Sequence, residues 1–301
     1  MTRPLITVGI TCYAEGDWLL ECWESLLAQT DDRWEAVLVM DGTEHRRTQE
    51  VFASIEHPRL RKARMPVNMG PYPTRNRAFE LTETPYHFYL DGDDKLPPDA
   101  IERANRTIAE HPGVGLVYGD LQLFGARRRL WRYPAVVEPE DFVSKQTLPG
   151  GGSVYKKALW EQLGGFAPEL ARGNGDYDFH IGLAELGVRG VHFGGVAILY
   201  RMGHETNVSS SYALRYHETH EIIVARHPRF FADPRRRALF LAHGEKRSAM
   251  ASYAAGDTAR AVELARSAMR RGLWRSRTLW KIVVGASLPE PARVALRRLG
   301  L

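Results

Sequence analysis

The stretch FYLDGDDKL, residues 88–96, puts three aspartates within four positions directly after an apolar, aromatic run. Carboxylates that close repel one another, so two readings are open: a cation sits among them, or water solvates a polar turn. Asp91 and Asp93 stand two apart, and in extended chain that spacing aims both side chains to one side. Two carboxylates aimed at one point suit a hard divalent cation such as Mg2+ or Mn2+. Such ions take oxygen ligands and commonly share their shell with substrate phosphates. An EF-hand is excluded, because its sixth position needs glycine and here holds Leu96.

Outward from this stretch the first half of the chain alternates. Residues 5–11, 34–40, 86–90 and 114–119 are β-branched, aromatic and apolar, as strands are, and 59–64 reads as a short strand. Between them, residues 15–28 repeat apolar pairs four apart (Trp18/Leu19, Cys22/Trp23, Leu26/Leu27), which is one face of a helix. Residues 44–55 and 71–81 also read as helical, and 97–111 is a helix opened by proline and aspartate. Such alternation predicts an α/β fold with a mostly parallel, Rossmann-like sheet covered by helices on both faces. Ligands of these sheets bind at the carboxyl ends of the strands, where Asp41 and Asp91 both fall.

Residues 120–210 are less regular, with Gly150–Gly152, a candidate helix at 175–187 and a strand at 196–202. Beyond about residue 211 the chain turns helical and rich in alanine and arginine, with two helices joined at Gly256–Asp257. The expected organisation is a catalytic domain over 1–211 and a basic α-helical extension over 212–301.

The net charge of +5 conceals an asymmetry. From residue 226 onward there are 17 Lys and Arg against 5 Asp and Glu, while the first 225 residues carry 24 basic and 31 acidic side chains. Two cysteines, Cys12 and Cys22, make no disulfide framework and read as core residues. The N-terminal stretch reads as a first strand rather than a signal peptide, and no apolar run approaches a membrane span, so a cytoplasmic setting is expected.

Seven segments, in order, resemble glycosyltransferase family 2 of the GT-A fold, an inverting, nucleotide-sugar-dependent family. ITVGITCYAEGDWLLECWESLLAQT looks like its opening strand and helix, and WEAVLVMDGT like its second strand. NMGPYPTRNRAFEL is similar to its N-x-G…ARN stretch, and YHFYLDGDDKLPPDAI to its D-x-D strand and following helix. YKKALWEQLGGFAPEL, GNGDYDFHIGLAELG and LYRMGHETNVS resemble its GGF segment, its catalytic helix and its closing strand. Together they cover roughly residues 5–211.

The resemblance implies that Thr11, Tyr13 and Glu15 line a nucleotide pocket and that Asp41 bonds the base, usually uracil. It implies that Arg75 approaches the base or phosphates, that Asp91 contacts the ribose and that Asp93 binds Mn2+ or Mg2+. A surface salt bridge is the other reading of Arg75. Asp94 either helps at the metal or caps the following helix. Asp176 aligns with the catalytic aspartate, a general base for the acceptor hydroxyl, with Asp178 as the alternative. The sequence departs from the family pattern at Gly175, where Glu or Asp is usual, and at His180, where Trp is common. These departures put acceptor geometry in doubt. His204 is either a further metal or phosphate contact or structural. Gly150–Gly152 reads as a flexible wall of the acceptor pocket, since no G-x-x-x-x-G-K-[ST] phosphate loop occurs. Trp131 and Tyr133 read as core packing, with stacking on a sugar as the alternative.

The implied activity is transfer of a sugar from a nucleotide-linked donor, UDP-linked by the family's habit, to a polysaccharide, glycolipid or small-molecule acceptor. The basic helical end reads either as a solvated cap or as a contact with an anionic membrane at its inner face or with an acidic saccharide. No nucleic-acid motif accompanies it. A sugar nucleotidyltransferase would open with a glycine-rich loop, which the CYAEGD loop is not. A non-catalytic sugar-nucleotide binder would lack the aspartates, yet Asp91, Asp93 and Asp176 are all present.

Overall fold

In the computed structural model, which describes residues 5–143, 148, 150–171, 173–203 and 212–286, the apolar runs of the first half lie side by side. Strands β1 (Ile6–Cys12), β2 (Trp34–Asp41), β3 (Leu60–Met65) and β4 (Tyr86–Asp91) pair in the order β3-β2-β1-β4, all parallel. Helices α1 (Trp18–Leu27), α2 (Arg46–Ser54), α3 (Pro71–Glu80) and α4 (Ala100–Glu110) follow the four strands in turn. Every residue of β1 is buried, as expected of a central strand covered on both faces.

The two faces differ in chemistry. Ile6, Val8, Ile10, Phe88 and Leu90 form an aliphatic core with Leu19 and Leu26 of α1, Phe52 of α2 and Ile101 of α4. The alternate residues Gly9, His87, Tyr89 and Asp91 face α3 instead, where aromatic rings dominate. His87 stacks on Phe79 with ring centroids 3.7 Å apart. Gly9 makes room for it: a Cβ on Gly9 would lie 2.2 Å from the imidazole.

The second half of the sheet comprises β5 (Leu116–Gly125), β6 (Arg129–Trp131), β7 (Val136–Val137), β8 (Ser153–Lys156) and β9 (Gly190–Met202), with α5 (Lys157–Leu163) and α6 (Gly175–Glu185) between β8 and β9. The order is β3-β2-β1-β4-β8-β5-β9-β7, with β6 hairpinned onto β5. β8 is antiparallel to both β4 and β5, and β9 is parallel to β5, so β5 and β9 run in the direction of β4. β8 and the first half of β9 fall within the stretch that reads as irregular in sequence.

The chain divides into two compact units, residues 1–140 with 146–207 and residues 141–145 with 208–301. The second holds α7 (Tyr216–Arg226), α8 (Pro234–Ala255), α9 (Thr258–Ala268) and α10 (Arg277–Gly285), the last three packing around Ala242, Ala249, Ala261, Leu264, Leu279 and Ile282. Gly256, in the left-handed conformation, ends α8, and the Asp257 side chain accepts from the Arg260 N–H to start α9. This is the joint expected at Gly256–Asp257. Among the described residues, no helix is long and apolar enough to cross a membrane.

Candidate active site

Asp41 and Asp91 are the last residues of β2 and β4, and both face α3. Asp41 accepts the N–H groups of Met69 at 2.8 Å and Gly70 at 2.9 Å, which ties the start of α3 to the end of β2. One turn along, Arg75 reaches back to Asp91, its Nη2 lying 2.7 Å from each carboxylate oxygen. Thr11 donates to Asp91 Oδ1 at 3.2 Å. The guanidinium lies between two rings, 4.9 Å from the centroid of Tyr72 and 4.5 Å from that of Tyr89. Burial opposes the Arg75 charge, but Asp91 and the two phenols outweigh it and hold the guanidinium well above its ordinary value. The Nε–H of Arg75 is buried and makes no hydrogen bond. Arg75 is therefore a buried ion-pair member, not a surface salt bridge.

Negative charge accumulates beside this pair. Glu15 is half-buried and accepts the Tyr13 N–H, while the Tyr13 ring is exposed. Burial, then the nearby Asp93 carboxylate, push Glu15 up to about 8. Asp94 is buried and pushed well above the carboxylate range by burial, then by Asp93 and Asp91. Its Oδ1 accepts the Arg201 N–H at 2.7 Å and its Oδ2 has no partner, so it braces β9 and does not cap α4, whose cap residue is Asp99. Arg201 also donates from Nε to the Asp93 carbonyl at 2.8 Å and from Nη2 to Glu21 at 2.8 Å.

Among the described residues, no three His, Cys, Asp or Glu side chains converge as a ready-made cation cage. The donor set nevertheless fits a hard cation held largely by phosphate. It is all oxygen, burial and then the neighbouring carboxylates drive Glu15 and Asp94 toward the neutral form, and Asp93 is half-exposed. His204 lies outside the described residues.

Asp176 stands in the first turn of α6, where a helix N-terminus favours negative charge. Its Oδ1 accepts the Tyr72 hydroxyl at 2.8 Å and the Tyr177 N–H at 2.9 Å. Asp176 is half-exposed, whereas Asp178 is buried at 1% exposure. Gly150 leaves the space beside it open: a Cβ there would lie 2.4 Å from Asp176 Oδ2 and 3.1 Å from the Tyr89 hydroxyl. That hydroxyl is buried without a hydrogen bond. His180 is buried in the aromatic face, with Nε2 2.7 Å from the Tyr155 hydroxyl. Tyr133 packs against the main core, while Trp131 stays exposed on β6, so the core reading holds for the first of the two only.

A path of contacts thus runs from Asp91 through Arg75 and the Tyr72 ring to Asp176. Sequence reasoning missed Tyr72, Tyr89 and Glu21 in this arrangement. Only the position of Tyr89, two residues before Asp91 on one strand, carries a signal that could have flagged it.

The sequence model of glycosyl transferase family 2 matches residues 7–162, just over half of the chain. The chain belongs to that family. The matched stretch of family 2 contains Thr11 through Asp93 and ends before Asp176. An uncharacterized glycosyltransferase of Haemophilus influenzae is 24% identical over 168 residues, 54% of this chain and 56% of the relative. Chondroitin synthase of Escherichia coli is 26% identical over 191 residues, 61% of this chain and 27% of the relative. The chain spans about half the length of these curated relatives, or less. Among solved structures, S. aureus TarS 1–349 in complex with UDP-GlcNAc superposes with a TM-score of 0.69 at 16% identity, covering 97% of this chain and 88% of that one. Mannosyltransferase PcManGT from Pyrobaculum calidifontis, in complex with GDP-Man and Mn2+, gives 0.55 at 18% identity, covering 99% and 88%. At these identities the likeness is one of fold, and that fold is GT-A.

Proposed function

We propose that this chain transfers a sugar from a UDP-linked donor to an acceptor hydroxyl, with inversion at the anomeric carbon. The observation that carries the reading is the contact path from Asp91 through Arg75 and Tyr72 to Asp176, which joins a strand-end carboxylate to a half-exposed carboxylate on a helix N-terminus. In this reading Thr11, Tyr13 and Glu15 form the nucleotide wall, and Asp41 meets the base with the lone pairs left by Met69 and Gly70. Asp91, oriented by Arg75 and Thr11, meets the ribose. Asp93 would hold Mn2+ or Mg2+, which when bound supplies Lewis-acid stabilisation of the departing diphosphate. Asp176 takes the proton of the acceptor hydroxyl as that oxygen attacks. A base of this kind contributes about 10²- to 10⁴-fold. The UDP in the TarS complex supports the donor class, and the relative named chondroitin synthase supports a polysaccharide-type acceptor.

The second unit would bring the chain to an anionic membrane surface. On α10, Leu279 and Ile282 face inward, whereas Arg277, Trp280, Lys281 and Val284 share the outer face. Trp280 is 51% exposed and Val284 57% exposed, and exposed Trp274 lies under Arg275 at 4.5 Å. Tryptophan bordered by basic side chains suits a lipid headgroup layer.

The test of the transfer reaction is product release from UDP-GlcNAc, UDP-glucose and GDP-mannose in the presence of Mn2+. Asp176→Asn should lose about 10²- to 10⁴-fold in turnover and keep nucleotide binding. An Asp176→Asn variant that turns over at the wild-type rate would remove the base assignment.

A further inference from the structure

We propose that Tyr72 is the positioning residue for Asp176, and that residue 175 is glycine because Tyr72 occupies the space any side chain there would need. The proposal rests on the transferase reading above. It turns the departure at Gly175 from a sign of decay into half of a matched pair.

The space argument is geometric. A Cβ on Gly175 would lie 2.7 Å from both Cγ and Cδ1 of Tyr72 and 2.8 Å from Cδ2, and real Cβ atoms essentially never come that close to a ring. The ring cannot move aside easily. It lies on the Arg75 guanidinium and against Phe166 at 5.5 Å, and its backbone is flanked by Pro71 and Pro73 in the first turn of α3. Arg75 is itself fixed by Asp91. The helix enters through Asn174, the one non-glycine residue at positive φ (61°) among those described.

The hydrogen-bond argument is chemical. An acidic residue at position 175 would set a second negative charge beside the base. Tyr72 instead supplies a neutral donor 2.8 Å from Oδ1, and a bond donated to a charged carboxylate is among the stronger ones. Burial, then the Asp176 charge, push the Tyr72 phenol well above its ordinary value, so it remains a donor throughout the working range. The other groups that feel the Asp176 charge are Tyr89, Tyr133, Tyr155 and His180. Burial pushes the three phenols up and pushes His180 down to about 4, so none of them changes charge near neutrality. Tyr72 thus fixes Asp176 in place.

The test compares wild type with Tyr72→Phe, using hydrolysis of UDP-GlcNAc, UDP-glucose and GDP-mannose with Mn2+. The expected result is a fall in kcat of about 10- to 100-fold, the worth of one hydrogen bond to a charged group. KM for the donor and the thermal shift with UDP should stay at wild-type values. A Tyr72→Phe enzyme with wild-type kcat overturns the positioning role while leaving the transferase reading intact. A wild type that turns over no donor and binds no UDP contradicts that reading itself, and the role of Tyr72 falls with it. The matched pair has its own readout in thermal unfolding. Gly175→Ala should lower Tm in the wild-type background and lower it much less beside Tyr72→Ala. An equal loss in both backgrounds overturns the space argument.

Discussion

Arg75 Nη2 lies 2.7 Å from both carboxylate oxygens of Asp91, between the rings of Tyr72 and Tyr89. The pair ties the first turns of α3 to the end of β4, so the strand-end carboxylate is oriented before any ligand arrives. Removing one partner of a buried pair strands the other. Arg75→Ala should cost about 3 kcal/mol, the lower end for such a break, because Asp91 keeps 30% of its side chain exposed. Arg75→Lys keeps the charge but loses the planar guanidinium that stacks between the rings, and should fall between wild type and Arg75→Ala. Urea unfolding of the three proteins measures this.

Gly9 tests the aromatic face beneath the site. Glycine to alanine inside a strand ordinarily gains a few tenths of a kcal/mol or more through the unfolded chain. Here the added methyl would meet the His87 ring at 2.2 Å, and His87 is held by Phe79 and by a 2.7 Å bond to Thr82. Overpacking should win, and Gly9→Ala should lose about 1–3 kcal/mol. A stabilised Gly9→Ala in thermal unfolding contradicts the close approach.

Buried histidines should make stability fall in acid. Burial pushes His87 and His220 from the ordinary 6.5 to about 3, one in each unit. Between those values the unfolded chain binds a proton at each site and the folded chain does not. Stability from each is therefore complete above about pH 6.5 and drains away as pH falls toward 3, by about 1.4 kcal/mol per pH unit. Glu15 and Asp94, raised by burial and then by Asp93 and Asp91, act in the opposite sense in the first unit, while in the second unit His243, lowered by burial, acts in the same sense as His220. His220→Phe keeps a ring against Phe240 and should flatten the acid slope of the second unit by that amount, read from unfolding free energies at pH 7, 6 and 5.

Much of the nucleotide half of the fold was legible because central parallel strands are continuous apolar runs and their ends carry Asp41 and Asp91. β8 was not legible. Its four residues, Ser153–Lys156, follow three glycines and owe their strand to the space between β4 and β5 rather than to their own pattern. The first half of β9 is masked by Gly194 and Gly195, which break any alternation. Tyr72 was hidden for another reason: an aromatic in a helical stretch reads as core, and its partner Asp176 is 104 residues away. The departure at Gly175 was visible, but its cause required the position of the Tyr72 ring.

The outer face of α10 should bind anionic lipid. Wild-type protein should co-sediment with vesicles containing phosphatidylserine and not with pure phosphatidylcholine, and binding should weaken with salt. Trp280→Ser with Lys281→Glu should abolish it without changing the unfolding transition, because neither side chain is buried. Binding unaffected by that pair of changes would assign the face to another partner.

The most direct test of the central claim is calorimetric titration of UDP into the protein with and without Mn2+, for wild type and Asp93→Ala. In the proposed function a divalent cation at Asp93 would link the diphosphate to the site. Wild type should bind UDP tightly with Mn2+ and little without it, and Asp93→Ala should lose the Mn2+-dependent part. Equal UDP affinity with and without Mn2+, unchanged in Asp93→Ala, would contradict it.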